Sequence, residues 1–143
     1  MLIPIGSDHA GYTMKETLMV YLRSLGHEVK DYGCFSQDSI DYPDFAHPVA
    51  KHISAHPQSL GILLCGSGNG ISMTANKHAA IRCALCWDEE IAQLARQHND
   101  ANIVALPARF ISDEKAKVIV KIFLETNFEG GRHANRVAKI SCQ

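Results

Sequence analysis

The sequence predicts an α/β fold: a three-layer α-β-α sandwich with about five parallel strands, helices on both faces and a short C-terminal helix. Three observations predict it. Apolar runs of strand length alternate with helix-length amphipathic segments along the whole chain, the pattern of a parallel sheet with crossover helices. The run Leu60-Gly61-Ile62-Leu63-Leu64-Cys65 passes straight into Gly66-Ser67-Gly68-Asn69-Gly70, and a helical pattern starts at Ile71. A short apolar run ending in a Gly-rich turn before a helix reads as a buried parallel strand, a tight loop and a helix N-terminus. Finally, the 143 residues suit one domain, residues 1–143, large enough to bury a core without disulfides or metals.

The elements follow in order. Leu2 to Gly6 is a first short apolar strand. Tyr12 to Leu25 is helical, with Met14, Leu18, Val20, Tyr21, Leu22 and Leu25 marking an apolar face, and Gly26 is a good stop. His27 to Tyr32 reads as an edge strand and Cys34 to Asp41 as a polar loop. Pro43 suits the first turn of a helix reaching about His56, while Pro48 inside it predicts a kink or a later start. After the Leu60 strand, a helix is expected over Ile71–His78 and a strand over Ile81–Cys86. Asp88 is a plausible N-cap for a helix ending near His98, with Ile91, Leu94 and Ala95 on its buried side. Asn102–Leu106 is the next strand, and Ser112 caps a helix with apolar positions at Ala116, Val118, Ile119, Val120, Ile122 and Phe123. Glu129-Gly130-Gly131 then breaks the chain before a short basic segment.

Bulk properties exclude several classes. Lys+Arg is 14 against 15 Asp+Glu, a balance that offers no general surface for nucleic acid or membrane. No apolar stretch approaches the roughly 18 residues of a membrane span, and the N-terminus lacks a signal peptide's basic region. Five cysteines without framework spacing fit a reducing cytoplasm.

Cys65 is the first candidate for chemistry. It is placed at the C-terminal edge of a strand, where open α/β sheets bind ligands. A helix N-terminus lowers a thiol's pKa, and neighbouring N–H groups accept an anion or a developing oxyanion. The loop is neither a P-loop nor a dinucleotide fingerprint nor a thiol-phosphatase loop, because Ile71 stands where each pattern needs another residue. The bland alternative is a small buried residue. Asp8-His9 ends the first strand on the same edge, fit for proton transfer or anion binding, or simply for capping a turn. His98-Asn99-Asp100 lies at a helix-to-strand junction, where His and Asn also serve as ordinary C-terminal residues. Arg132 and Arg136 at i, i+4 present two guanidiniums together, suited to phosphate or to a solvated tail. Cys83 and Cys86 have CxxC spacing but fall in a strand, where residues three apart face opposite sides. His52 and His56 lack further ligands for zinc.

In this order and spacing the segments resemble the ribose-5-phosphate isomerase B family, grouped with galactose-6-phosphate isomerases. The likeness runs almost end to end: Gly6-Ser7-Asp8-His9-Ala10-Gly11, Asp41-Tyr42-Pro43, Cys65 through Ile71, Ala75-Asn76-Lys77, Arg96 through Asn102, and Glu129-Gly130-Gly131-Arg132-His133 with Arg136. The resemblance implies a metal-free, cofactor-free aldose–ketose isomerase acting on ribose 5-phosphate and ribulose 5-phosphate. His98, helped by Asp8, would open the sugar ring. Cys65 would carry the proton between C2 and C1; some members use a Glu at the position of Ile71, which has no titratable group here. The N–H groups of Gly66, Gly68, Asn69 and Gly70, with Ser67 and Asn99, would hold the enediolate oxygen. Tyr42 would line the sugar, and His9, Arg109, Arg132 and Arg136 would hold the phosphate. The family's sites form between subunits, which implies a homodimer, or dimers paired into a tetramer, with His98, Asn99 and Arg109 supplied by the neighbour. A hexose-6-phosphate isomerase (galactose or allose) of the same family and a non-catalytic sugar-phosphate module are the alternatives.

Overall fold

The computed structural model describes residues 1–141. Among them, five strands form one sheet in the order β2-β1-β3-β5-β4, and every neighbouring pair is parallel. The strands are β1 (Leu2–Ser7), β2 (Glu28–Asp31), β3 (Gly61–Cys65), β4 (Cys83–Leu85) and β5 (Ile103–Pro107). The helices are α1 (Tyr12–Ser24), α2 (Pro43–Ala55), α3 (Asn69–Ala75), α4 (Glu89–Gln97), α5 (Asp113–Glu125) and α6 (Arg132–Ala138). The α/β sandwich read from the sequence is therefore the fold observed.

Strand alternation splits the core in two. On one face Ile62 and Leu64 of β3 meet α1, α4 and α5 through Leu18, Leu22, Ala95, Ile119 and Phe123. On the other, Leu63 and Cys65 meet α2 and α3 through Val49, Ile53, Ile71 and Ala75. Since α1 and α2 cover opposite faces, the chain direction reverses between β1 and β3. Their C-terminal ends flank a topological switch point, the position at which open α/β sheets form a ligand crevice. Asp8 and Cys65 both stand there.

Local differences from the sequence reading have physical causes. Helix α2 begins at Pro43 and continues through Pro48 without a later start; Pro48 follows the first turn, so the missing N–H removes a single bond. The β4 strand shrinks to three residues, because side chains take over its flanking backbone groups. Asn102 Oδ1 accepts from Arg82 N at 2.7 Å, and Asn76 pairs both the N–H and the carbonyl of Cys83 at 2.8 and 3.0 Å. Helix α3 starts at Asn69 and stops at Ala75; Lys77 and His78 then continue in tighter i→i−3 turns. Cys83 and Cys86 fall on opposite faces of the sheet, as their spacing in a strand predicts. Burial pushes both thiols up to about 12, so neither is a thiolate near neutral pH.

One ion pair fixes the α1–β2 side. The Lys15 ammonium is fully buried and donates to both Asp31 carboxylate oxygens at 2.9 Å, and to Glu16 at 3.1 Å. Removing the partner of a buried charge costs more than the pair contributes. Asp31→Ala is expected to destabilise the fold by about 3 kcal/mol, measured by urea unfolding; Lys15→Met, which removes the charge itself, should cost clearly less.

Candidate active site

The C-terminal edge of the sheet gathers one group of residues. Asp8 is buried; its N–H donates to Leu64 O at 3.1 Å, which locks the end of β1 to β3. Its Oδ1 accepts from Gly11 N at 3.0 Å and caps a single 3-10 turn over His9–Gly11. The capping role foreseen for Asp8 is thus present, beside its place at the crevice. His9 Nδ1 accepts from Ile40 N at 3.3 Å, which puts the ring proton on Nε2 and makes that nitrogen a donor.

Cys65 ends β3 with its sulfur receiving the Gly68 N–H at 3.1 Å. Gly68 has φ +77°, a left-handed conformation open to glycine at little cost, and this turn aims the N–H back at the sulfur. Ser67 is exposed, and its Oγ accepts from Asn69 N at 3.3 Å. Tyr42, at the start of α2, lies against Gly70: a Cβ there would come within 2.5 Å of the Tyr42 ring. The phenol therefore reaches the start of α3 only because residue 70 has no side chain.

Arg109 belongs to the same group. The turns after β3 and β5 are laced by Ala108 N→Cys65 O at 2.9 Å and Arg109 N→Gly66 O at 3.0 Å. The guanidinium lies over Gly66, where a Cβ would come within 3.0 Å of Nη1. The resemblance assigns Arg109 to a neighbouring subunit; here it covers the loop of its own chain, because β5 and β3 are adjacent and end together.

The remaining expected residues lie at the opposite edge. Helix α4 returns antiparallel to the sheet, so its C-terminal residue His98 and the following Asn99 stand before β5 begins. The chain after α5 comes back to the same place, where Glu129 N donates to Gln97 O at 3.0 Å. Helix α6 follows with Arg132 and Arg136 exposed on it. The His98 and His133 rings stack at 4.2 Å with planes 14° apart, and Glu129 Oε1 is 3.6 Å from the Nε2 of each. Glu129 and His133 were missed as site residues in the sequence; their i, i+4 spacing across the Gly-Gly break was the available signal. Their ligand atoms and that of His98 all lie within 4.8 Å of one another. Near-parallel rings, however, send their lone pairs side by side rather than toward one point, which is not the convergent geometry of a zinc centre.

β5 separates the two groups. Cys65 pairs with Pro107 at its end, and His98 precedes Ile103 at its start. Five residues at about 3.3 Å each span about 16 Å. One chain therefore brings Asp8, His9, Tyr42, Cys65 and Arg109 to one edge, and His98, Asn99, Arg132 and Arg136 to the other. A cavity of about 570 Å³ along the β4 edge includes Asn99, His78 and Ile140 but not Cys65.

The comparisons with known proteins agree on one family. The ribose/galactose isomerase family model matches residues 3–140. The chain belongs to this family. Among the isomerases, ribose-5-phosphate isomerase B of Escherichia coli K12 is 43% identical over 139 residues, covering 97% of this chain and 93% of its own. The crystal structure of a Thermotoga maritima ribose 5-phosphate isomerase superposes with a TM-score of 0.95 at 48% identity, covering 98% of this chain and 97% of the other. A Mycoplasma genitalium ribose-5-phosphate isomerase B, solved with ribulose-5-phosphate bound, gives 0.94 at 44% identity, covering 97% and 93%. No helix among the described residues is long and apolar enough to cross a membrane.

Proposed function

We propose that this isomerase interconverts ribose 5-phosphate and ribulose 5-phosphate in sites built from two copies of the chain. The observation that carries the substrate is the ribulose-5-phosphate bound by a relative of 44% identity and the same fold. The two-edge distribution of residues supports the shared site. Proton chemistry on one small sugar needs groups within a few ångströms, and about 16 Å of strand lies between Cys65 and His98. A second copy placing its α4–α6 end over the Cys65 edge meets that requirement.

The reaction then divides among the residues. His98 from the second copy gives a proton to the ring oxygen as the ring opens, and Asp8 takes the anomeric hydroxyl proton. The Cys65 thiolate removes the proton from C2, leaving an enediolate, and returns it to C1, while the hydroxyl proton on O2 passes to O1. Ile71, fully buried in the core between α2, α3 and the sheet, offers no proton acceptor, which leaves this step to the thiol. The negative oxygen meets the N–H groups of Gly66 to Gly70, with Ser67 and Asn99, already oriented before charge develops. Tyr42 lines the sugar. His9, through Nε2–H, and Arg109 receive the phosphate from the Cys65 side, Arg132 and Arg136 from the second copy. Binding energy far from C1 and C2 thereby positions them.

The test is direct. Purified protein is given ribose 5-phosphate without added metal and ketose formation is followed, with galactose and allose 6-phosphates alongside. Turnover of the pentose, unchanged by a chelator, is expected. A clear preference for a hexose phosphate would reassign the substrate, and loss of activity with chelator would reject the metal-free mechanism.

A further inference from the structure

Nothing in the mechanism above uses Glu129 or His133, yet both are built against His98. Glu129 is anchored through its N–H to the end of α4, and its Oε1 sits 3.6 Å from His98 Nε2 and 3.6 Å from His133 Nε2. That is outside hydrogen-bond reach, but it is an ion-pair distance to any proton carried by either ring. His133 is buried while His98 is more than one-third exposed. Two imidazoles stacked at 4.2 Å repel if both are cationic. The other charges nearby are unfavourable to a cation on His133: Arg132 and Arg136 stand on its own helix. Burial first, then His98 and Arg132, hold the His133 imidazole below its ordinary range, opposed only by Glu129. On the α4 side, Arg96 and Asp100 are paired with each other at 3.0 Å.

We propose that Glu129 and His133 are positioning residues for His98 in ring opening: the carboxylate balances the proton that His98 carries, and the stacked neutral ring fixes the plane in which it is delivered. The step itself balances within the sugar and its two partners. The bond from C1 to the ring oxygen breaks, the ring oxygen takes a proton from His98, the anomeric hydroxyl gives one to Asp8, and an open-chain aldehyde remains. This rests on the isomerase reading above.

Ring opening and proton transfer are separable experimentally. Ribulose 5-phosphate is acyclic, because the oxygen that would close its ring is esterified. Exchange of its C1 proton into D2O therefore needs the Cys65 step alone, whereas ribose 5-phosphate must first be opened. Wild type, Glu129→Gln, Glu129→Asp, His133→Ala and His133→Asn are compared by turnover of ribose 5-phosphate and by C1 exchange on ribulose 5-phosphate, read by proton NMR. We expect Glu129→Gln and His133→Ala to lose about tenfold or more in turnover, part of the 10²–10⁴ that a positioned proton donor contributes, with exchange kept within about twofold. Glu129→Asp should recover part of the loss. Equal loss of turnover and exchange in the conservative as well as the truncating variants would overturn the proposal, as would unchanged turnover in all of them. A wild type with neither turnover nor exchange would sink the isomerase reading itself, a result distinct from both.

Discussion

Cys65→Ala will retain the fold and lose isomerisation by at least about 10³-fold, with the substrate's KM little changed. The magnitude is that of removing a positioned base, and no other titratable side chain stands at the start of α3, where Ile71 is buried in the core. The fold should survive because the sulfur's one hydrogen bond among the described residues is to the adjacent loop, Gly68 N, and the cavity left by one sulfur is small. The measurements are kcat and KM on ribose 5-phosphate and solvent exchange at C1 of ribulose 5-phosphate. Both activities should fall together, in contrast to the variants at Glu129. Wild-type turnover in Cys65→Ala would reject the thiol as base and move attention to Asp8.

The second large effect is complementation. Cys65→Ala and His98→Asn homodimers should each be nearly inactive. Mixed dimers, made by co-expression or joint refolding, should regain activity, because one of their two sites then joins an intact Cys65 from one copy with an intact His98 from the other. Random pairing makes half of the dimers mixed, so the mixture should reach about a quarter of wild-type activity. Sites built within one chain would give no recovery above the two homodimers. That outcome would require an arrangement that carries His98 past the length of β5.

Much of this architecture was legible before the structure. The β3 run, bounded by Leu60 and the Gly66–Gly70 turn, is apolar at nearly every position and leaves little choice but a central parallel strand. Asp8 and Cys65 could be put on one edge because both end such runs. Less legible were features set by single long-range side-chain bonds. Asn76 and Asn102 trim β4 from opposite directions, and neither residue announces that in its local pattern. The site was harder still. The family resemblance pointed to His98 and the arginines, but strand-end placement alone could not tell which sheet edge each occupies. The antiparallel return of α4 decides it. That Arg109 covers Gly66 of its own chain was hidden for the same reason: its position depends on β5 lying next to β3, a fact of strand order rather than of sequence spacing. Glu129 and His133 escaped because their partner, His98, is more than thirty residues earlier.

The length of β5 between the two groups also makes catalysis a matter of concentration. If neither copy holds a complete set of groups, dilution below the dimer's dissociation constant removes sites as well as contacts. The rate would then rise as the square of enzyme concentration at the dilute end and linearly above it. Substrate, which bridges both edges, would pull the equilibrium toward the assembled form, so preincubation with ribulose 5-phosphate should shift that crossover to lower protein concentration. Abundance in the cell would then regulate flux more steeply than it does for an enzyme whose site is contained in one chain.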